Sequence, residues 1–377
     1  MKMCLMIVFQ ALCSFFVYGA GPGSDGSLLF LFWNLENFFD WRDDGASESP
    51  SDAEFSSFGK RHWTRAKFFA KCNAVAKTVL WVGDRYGRLP DAVGIAEVEN
   101  RFVLEQLLES TTLRKLDYRI VHFDSPDPRG IDVALLYRSS VFRLVDAVPL
   151  RVDGPEASGP PLLTRDILLA HLSLKPPASG EPSSSFSLND TSAVPSPPSP
   201  AIRDASPAGG AKGLFLLVNH HPSKYGGGKT GWRREAALKR LRKAVDSLEA
   251  AGCQNIIAMG DFNDTPDRPF FRLLTDPTAS GSGLENLAAP LAESGEGTIR
   301  YNGIWQLIDL FFVSKGLGAD GHLPKMQIVR VPFLSARDNA HTGEKPFRTW
   351  SGPRYNGGVS DHRPVVLSLD ISSLRSE

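Results

Sequence analysis

Acidic, amide and histidine side chains stand at the ends of six apolar runs, and such side chains bind cations and transfer protons. A single carboxylate of this kind is most simply a turn or capping residue. Burying carboxylates is costly unless they are paired or bind a cation, so their repetition favours a shared site. Oxygen and imidazole donors without cysteine suit Mg²⁺, Mn²⁺ or Ca²⁺ rather than structural zinc. The residues are Asn34 with Glu36, Glu97, Asn219 with His220, Asp261 with Asn263, Asp309, and Asp361 with His362.

The segments that carry these residues alternate between strand-like and helix-like patterns, which predicts an α/β fold. LLFLFWNLE and DAVGIAEVE are strand-like, and HWTRAKFFAKCNAVAKTVLWV between them is an amphipathic helix. The same order recurs in GLFLLVNHH, GWRREAALKRLRKAVDSLEAAG and QNIIAMGDF. Two such half-sheets stacked face to face would bring both sets of strand ends to one edge, where loops usually carry the chemistry.

Three β-rich runs lie between these two units. YRIVHF, IDVALLYR and FRLVDAVPL are separated only by short turns, so we predict antiparallel neighbours. Asp132 is polar within an apolar strand pattern, and the sequence leaves it as either a site residue or the partner of a core arginine.

The stretch at 176–213 is rich in Pro, Ser, Ala and Gly and has almost no large apolar residues. Such a composition buries too little surface to order itself. Because strands of similar hydrophobicity flank it and neither side holds all the acidic motifs, we predict a disordered insertion within one domain at 25–377 rather than an interdomain linker.

The first 20 residues, MKMCLMIVFQALCSFFVYGA, combine one lysine, an apolar run and small residues, which is typical of a signal peptide. We therefore expect an exported protein, whether periplasmic, bound at the cell surface or secreted, with no stable membrane association once the signal is removed. Cys72 falls on the apolar stripe of a predicted helix, which favours a buried thiol over a disulfide with Cys253. The 42 Lys and Arg balance 42 Asp and Glu, so binding of nucleic acid would need a local patch.

Seven motifs together resemble the endonuclease/exonuclease/phosphatase superfamily, whose members include pancreatic-type deoxyribonuclease, AP endonucleases, sphingomyelinases and inositol polyphosphate phosphatases. The resemblance runs in order from about Leu28 to about Leu369 and is most specific in GDFND and SDHRPV. It implies a four-layer α/β sandwich of two packed mixed sheets flanked by helices, with one site for metal-assisted phosphoester hydrolysis. The motifs are NLENFF, GIAEVEN, RGIDVALLYR, VNHHPS, MGDFND, LIDLFFVS and GGVSDHRPV.

The resemblance also implies roles for individual residues. Glu97 would be the main ligand of Mg²⁺, Mn²⁺ or Ca²⁺, and the further metal ligands would be Asn34, Glu36 and Asp361. His362 would act on the phosphate or on the attacking water, with Asp309 orienting its imidazole. Asp261 and Asn263 would position the water and bind the phosphorus centre, with either Asp261 or His362 as the base. His220 would lie near the scissile phosphate, with His221 as the alternative unless it merely packs beside Pro222.

Arg129 precedes a predicted strand and would hold a substrate phosphate bidentately, although turn chemistry explains SPDPRG equally well. The expected protein is an exported, monomeric, metal-dependent phosphodiesterase with DNA or RNA among its candidate substrates. A phosphomonoesterase or a lipid phosphodiesterase on the same scaffold is the alternative. An inactive binding module is disfavoured because every polar residue that the chemistry needs is present.

Overall fold

A computed structural model describes most of the chain, and the predicted signal peptide at 1–20 lies outside the described residues, as does nearly all of the Pro/Ser-rich segment at 176–213. The described residues are 26–43, 49–154, 162–176, 213–224, 231–278, 281–315, 317 and 323–370. None of the helices among them is both long and apolar enough to cross a membrane.

The predicted alternation of strands and helices is confirmed, with short 3₁₀ turns at Thr112–Lys115, Pro269–Phe271 and Pro332–Leu334. The helices are α1 (Pro50–Glu54), α2 (Arg65–Tyr86), α3 (Arg101–Glu109), α4 (Gly231–Ala250), α5 (Arg272–Thr275) and α6 (Ala289–Glu293). The strands are β1 (Ser27–Phe38), β2 (Ala92–Val98), β3 (Tyr118–His122), β4 (Asp132–Arg138), β5 (Phe142–Leu150), β6 (Ile167–Leu174), β7 (Leu214–His220), β8 (Ile256–Asp261), β9 (Leu284–Asn286), β10 (Ile299–Tyr301), β11 (Ile304–Gln306), β12 (Asp309–Ser314), β13 (Lys325–Ile328), β14 (Ser335–Arg337), β15 (Glu344–Pro346), β16 (Trp350–Ser351), β17 (Arg354–Tyr355) and β18 (Val365–Asp370).

Two six-stranded mixed sheets form the centre of the fold, in the orders β13-β18-β1-β2-β4-β3 and β5-β6-β7-β8-β12-β9. Each contains one parallel pair, β1 with β2 in the first sheet and β7 with β8 in the second. A parallel pair needs a crossover, and the long helices α2 and α4 supply it in the two sheets. Parallel neighbours end at the same edge, so each pair delivers two strand ends to one place.

The side-chain alternation of β1 explains how the first sheet packs on both faces. Phe30 and Phe32 join the core shared with the second sheet, whereas Leu29 and Leu31 join the core beneath α2. Both faces are buried because neighbouring side chains of a strand point to opposite sides of its sheet. The layers are thus helix, sheet, sheet and helix, as the resemblance implied.

Local signals explain where α2 begins and ends. The side chain of Thr64 accepts a hydrogen bond from the amide of Lys67, and Gly87 closes the helix in the left-handed region at a φ of 71°. Cys72 is buried on its inner face, and it and Cys253 are both free thiols. The prediction of a core thiol rather than a disulfide is therefore confirmed.

One expectation for the middle of the chain is confirmed only in part, and another is wrong. β4 pairs antiparallel with β3, but β5 crosses to the second sheet and pairs with β6, because the turn after Arg138 sends the chain across the inter-sheet core. Asp132 binds neither an arginine nor the cluster of strand-end residues. Its carboxylate lies 3.1 Å from His122 Nε2 and accepts the amide of Ser125 at 2.9 Å.

Candidate active site

The ends of β7, β8 and β12 bring three of the predicted residues side by side. Asp261 pairs in register with His220 on one side and with Asp309 on the other. All three are buried, with 3% of His220, 2% of Asp261 and 1% of Asp309 exposed. Asn34 of the first sheet donates from Nδ2 to Asp261 Oδ2 at 3.0 Å, which joins the two sheets at this edge. The expected convergence of strand ends therefore occurs.

Two of the predicted metal ligands lie where the backbone leaves regular strand geometry. Glu36 and Glu97 have φ angles of 48° and 62°, and the register of β1 with β2 shifts between Asn34 and Phe38. A β-bulge redirects a side chain at the cost of local strain, and such strain concentrates at functional sites. The amide of Asn37 donates to Glu97 Oε2 at 2.8 Å, so one bulge orients the carboxylate of the other.

Glu36 connects β1 to a segment far along the chain. Its Oε2 accepts the amide of Thr349 at 2.6 Å, and its Oε1 lies 3.2 and 3.1 Å from Nε and Nη2 of Arg348. Burial, reinforced by the negative charge of Asp361, raises the pKa of Glu36 to about 7. A cation near these two carboxylates would restore the ionised form of Glu36.

Lys71 is a buried lysine on the inner face of α2, with 3% of the residue exposed. Its Nζ donates to the carbonyl oxygen of Glu36 at 2.7 Å and to Thr349 Oγ1 at 3.0 Å. Burial lowers the pKa of Lys71 to about 8, against the opposing charges of Glu36 and Glu97. Lys71 therefore supports the Glu36 bulge from below and supplies a positive charge beneath the acidic residues.

His362 and Asp309 form a close pair across the two sheets. His362 Nδ1 lies 2.8 Å from Asp309 Oδ2, and the carboxylate orients the imidazole so that its Nε2 lies 3.8 Å from Asp261 Oδ2. Burial by itself lowers the pKa of His362, but the charge and hydrogen bond of Asp309 outweigh it and raise that pKa well above its ordinary value. Asp309 thus favours the protonated form of His362.

The pKa values of Asp261 and His220, at the same edge, are shifted so that the uncharged form of each is favoured. Burial, together with the charge of Asp309, raises the pKa of Asp261 to about 7, although the positive charge of His362 opposes this. Burial and the charges of Arg165 and Arg129 lower the pKa of His220 well below its usual value. Neutral His220 Nε2 lies 3.6 Å from Asp261 Oδ2. The surroundings therefore favour the protonated form of His362 and the neutral form of His220, beside the Asp261 carboxylate with its pKa of about 7.

Arg129 lies with this group, since its Nη2 is 3.0 Å from Asn37 Oδ1 and 3.4 Å from Glu97 Oε1. Its side chain is 43% exposed, so it can reach a ligand. Burial raises the pKa of Glu97, but the charge of Arg129 and the amide of Asn37 outweigh it, so the net shift is downward and Glu97 is ionised.

Asn263 and His221 sit at one side of the cluster. The amide nitrogen of the Asn263 side chain donates to the carbonyl oxygen of His221 at 2.9 Å, and its backbone amide donates to Asp261 Oδ1 at 2.9 Å. The ring of His221 is 1% exposed and lies 4.7 Å from the ring of Phe262. The structure thus directs His220, rather than His221, toward Asp261.

The donor set fits a hard divalent cation. Glu36, Glu97 and Asp361 offer carboxylate oxygens, and the half-exposed Arg129 and Arg348 are their arginine partners. Oxygen-rich sets of this kind suit Mg²⁺ or Mn²⁺. Ligand atoms of Asp261, Asp309 and His362 approach one another more closely. The first set is the candidate cation site that remains open, because Asp309 and Nδ1 of His362 already satisfy each other.

Several supporting residues could not be found from strand ends. Lys71 was visible only as a lysine on the apolar stripe of a helix, and Arg348 follows no predicted strand. Arg165 is buried before β6, where it donates to Asp127 Oδ2 at 2.8 Å and to the carbonyl oxygen of His221 at 2.7 Å. Each acts through a contact between segments distant in the sequence.

A family model identifies the family of the chain, and solved structures share its fold. The family model described as "Endonuclease/Exonuclease/phosphatase family" matches residues 29–177 and 208–371.

A solved protein of that family from Bacteroides thetaiotaomicron is 16% identical with a TM-score of 0.51, covering 91% of this chain and 97% of that one. A mannosyl-6-phosphatase from the same species is 15% identical with a TM-score of 0.50, covering 90% of this chain and 98% of that one. The human Nocturnin catalytic domain is 16% identical with a TM-score of 0.49, covering 91% and 94%. A search of curated proteins gives no match.

Replacing Asp309 with Asn should lower the pKa of His362, because burial then acts without the neighbouring negative charge that outweighs it. The His362 ring should lose its proton at a lower pH than in the unchanged protein, as followed by NMR titration of the metal-free protein. Asp246→Asn, which removes a carboxylate paired with Arg242 on α4, is the control and should leave that titration unchanged. An unaltered His362 titration in Asp309→Asn would contradict the assigned pairing.

Replacing Lys71 with Met should weaken Mg²⁺ binding by roughly 10–100-fold, the usual effect of losing a group that supports a metal ligand. The Glu36 bulge loses the donor that holds its carbonyl oxygen, and without the lysine charge the pKa of Glu36 rises further. Methionine preserves length but cannot donate to Glu36 or Thr349. Lys77→Met, an exposed change on the same helix, should leave Mg²⁺ affinity unchanged. Calorimetric titration with Mg²⁺ measures both, and equal affinities in the two variants would refute the supporting role.

Proposed function

The chain belongs to the endonuclease/exonuclease/phosphatase family, whose members are metal-dependent phosphoester hydrolases, and we propose that this member cleaves phosphodiesters, with nucleic acid as the leading substrate class. The observation that carries the proposal is the His362–Asp309 pair facing Asp261, with the ionised Glu97 in the same site. The cluster would thus contain a proton donor in His362, a proton acceptor in Asp261 and a cation-binding carboxylate in Glu97.

The pKa shifts support a division of labour between the two candidate bases. Asp261, with a pKa of about 7, takes a proton from the attacking water. His362 enters as the imidazolium and donates from Nε2 to a phosphate oxygen, while Asp309 maintains its charge. His220 is neutral, which disfavours a role as general acid and favours positioning the water or phosphate by a hydrogen bond.

The predicted ligands would hold the cation beside these groups. Glu97 and Asp361 would bind it, with Glu36 beside them and Asn34 holding Asp261 in place. A bound divalent cation supplies charge neutralisation for a phosphate oxygen and for the departing oxygen. Arg129, which touches Glu97, is placed to hold a second phosphate oxygen through its unused nitrogens.

Purified protein should hydrolyse plasmid DNA, RNA or bis-p-nitrophenyl phosphate with Mg²⁺ or Mn²⁺ and lose the activity in EDTA. Glu97→Ala and His362→Ala should each reduce the rate by about 100-fold or more, because each removes a group that acts at the phosphate. Exposed Glu285→Ala and His341→Ala serve as matched controls and should retain full activity. Activity that survives both active-site substitutions and EDTA would sink the mechanism. Cleavage of p-nitrophenyl phosphate alone would replace the diesterase with a phosphomonoesterase.

We also propose that the protein is exported, and the support is the signal-like sequence of residues 1–20. Expression of the full-length chain in a bacterium should yield mature protein outside the cytoplasm that begins at Ala20 or Gly21, since cleavage is expected after Gly19 or Ala20. N-terminal sequencing of the fractionated protein measures this. Recovery of the intact amino terminus in the cytoplasm would refute export.

A further inference from the structure

Arg348 holds two of the proposed metal ligands while remaining open to solvent. Its Nη2 lies 3.1 Å from Glu36 Oε1 and 3.1 Å from Asp361 Oδ2, and its Nε lies 3.2 Å from the same oxygen of Glu36. The side chain is nevertheless 45% exposed. A half-exposed ion pair adds little to folding stability, so stability alone gives a weak reason for this arrangement.

The backbone that carries Arg348 is fixed on its far side. The amide of Thr349 donates to Glu36 Oε2, and Thr349 Oγ1 donates to the carbonyl oxygen of Val359 at 2.8 Å. The next residue, Trp350, is 4% exposed and packs against three aromatic rings. The guanidinium is thus held by a rigid support, which is the condition for a precise binding group. The three rings are those of Phe55, Trp63 and Tyr355.

Arg129 approaches the same acidic group in a similar way. Its Nη2 touches Asn37 and Glu97, and its side chain is 43% exposed. Within the described ranges, neither Arg129 nor Arg348 has a hydrogen-bond partner at Nη1. Each arginine therefore uses one edge of its guanidinium on a carboxylate and leaves donors of the planar fork unused.

We propose that Arg348 binds a non-bridging oxygen of the scissile phosphate and forms, with Arg129, a two-arginine clamp around it. Arg129 is paired with Glu97, and Arg348 is paired with Glu36 and Asp361. A phosphate attracted to a cation among these carboxylates would therefore lie beside both guanidinium groups. Carboxylates bound to a cation retain lone pairs for a neighbouring arginine, so the clamp persists when the cation site is filled. This inference rests on the proposed phosphoester hydrolysis and adds to it a residue that meets the substrate.

The competing role for Arg348 is to neutralise Glu36 and Asp361 without touching substrate. The two roles differ in what removal of the side chain does to two separate equilibria. A neutralising arginine competes with the cation, so its loss tightens Mg²⁺ binding and leaves phosphate binding unchanged at saturating Mg²⁺. A clamp arginine contributes a charge-assisted hydrogen bond to phosphate, so its loss weakens phosphate binding.

The test is calorimetric binding of inorganic phosphate at saturating Mg²⁺, alongside binding of Mg²⁺ alone, in the full-length protein and three variants. Arg348→Ala should weaken phosphate binding about tenfold or more, the effect of losing one hydrogen bond to a charged group, while Mg²⁺ affinity stays equal or rises. Arg348→Lys should restore part of the phosphate affinity, because an ammonium keeps the charge but not the fork. Arg101→Ala, which removes an arginine of equal 45% exposure paired with Glu105, should bind phosphate as the unchanged protein does.

Unchanged phosphate affinity in Arg348→Ala would overturn the clamp, as would a parallel loss of Mg²⁺ and phosphate binding, which would mark Arg348 as part of the metal support. Circular dichroism establishes that the variants fold, and if Arg348→Ala does not, Arg348→Lys decides the question by the same two titrations. Hydrolysis by the unchanged protein distinguishes a failure of the clamp from a failure of the proposed function. Ester cleavage with no effect of Arg348 defeats only the clamp, whereas neither cleavage nor phosphate binding in the unchanged protein defeats the proposed function as well.

Discussion

The hydrogen bond from Asn34 to Asp261 is the contact on which the site depends, because it joins the two sheets at the edge where their chemistry meets. The first sheet and the segments that follow it supply Glu36, Glu97 and Asp361, the carboxylates that we propose as cation ligands. The second sheet supplies His220, Asp261 and Asp309, the residues that we propose to position the water and to support proton transfer. Only His362 breaks this separation, since it precedes β18 of the first sheet but pairs with Asp309 of the second. The geometry of the site is therefore the geometry of the sheet-to-sheet contact, and Gly94 shows how close that contact is: a Cβ there would lie 3.0 Å from Met259 Sδ.

Charge balance is the second constraint on this edge. Several carboxylates are buried together, and unpaired burial of even one would cost more than its hydrogen bonds return. The compensation is distributed: Lys71 lies below, Arg348 and Arg129 lie at the rim, and His362 is held protonated within. Two bulges with left-handed residues place the carboxylates so that each meets its partner. Backbone strain at Glu36 and burial of Lys71 are each unfavourable alone. They persist together because the buried lysine donates to the carbonyl oxygen of the strained residue.

Much of this arrangement was readable from the sequence because it follows from local pattern. Asp261 and Asp309 follow or begin apolar strands, and parallel crossovers put strand ends at one edge, so their convergence could be predicted. Lys71 and Arg348 could not, since their partners lie in segments joined only by folding: Nζ of Lys71 meets Thr349, which is 278 positions away. The sheet that β5 joins could not be predicted from the sequence either. A short turn is compatible with a hairpin and with a crossing between sheets, and the choice is made by which core buries Phe142. The protonation states of His220 and His362 likewise depend on neighbours that no spacing reveals.

The pairing of the two strands that flank the Pro/Ser-rich segment shows to which part of the sheet this segment is attached. β6 and β7 are antiparallel neighbours, with Leu172 opposite Leu214, so the segment departs and returns at adjacent points of one sheet. β7 then runs from Leu214 to His220, its seventh residue, a rise of about 20 Å at the usual spacing along a strand. Loop-closure entropy grows only slowly with loop length. The length of this connection can therefore change over evolution, or by insertion of a reporter domain, at little thermodynamic cost and on the side of the sheet remote from the chemistry.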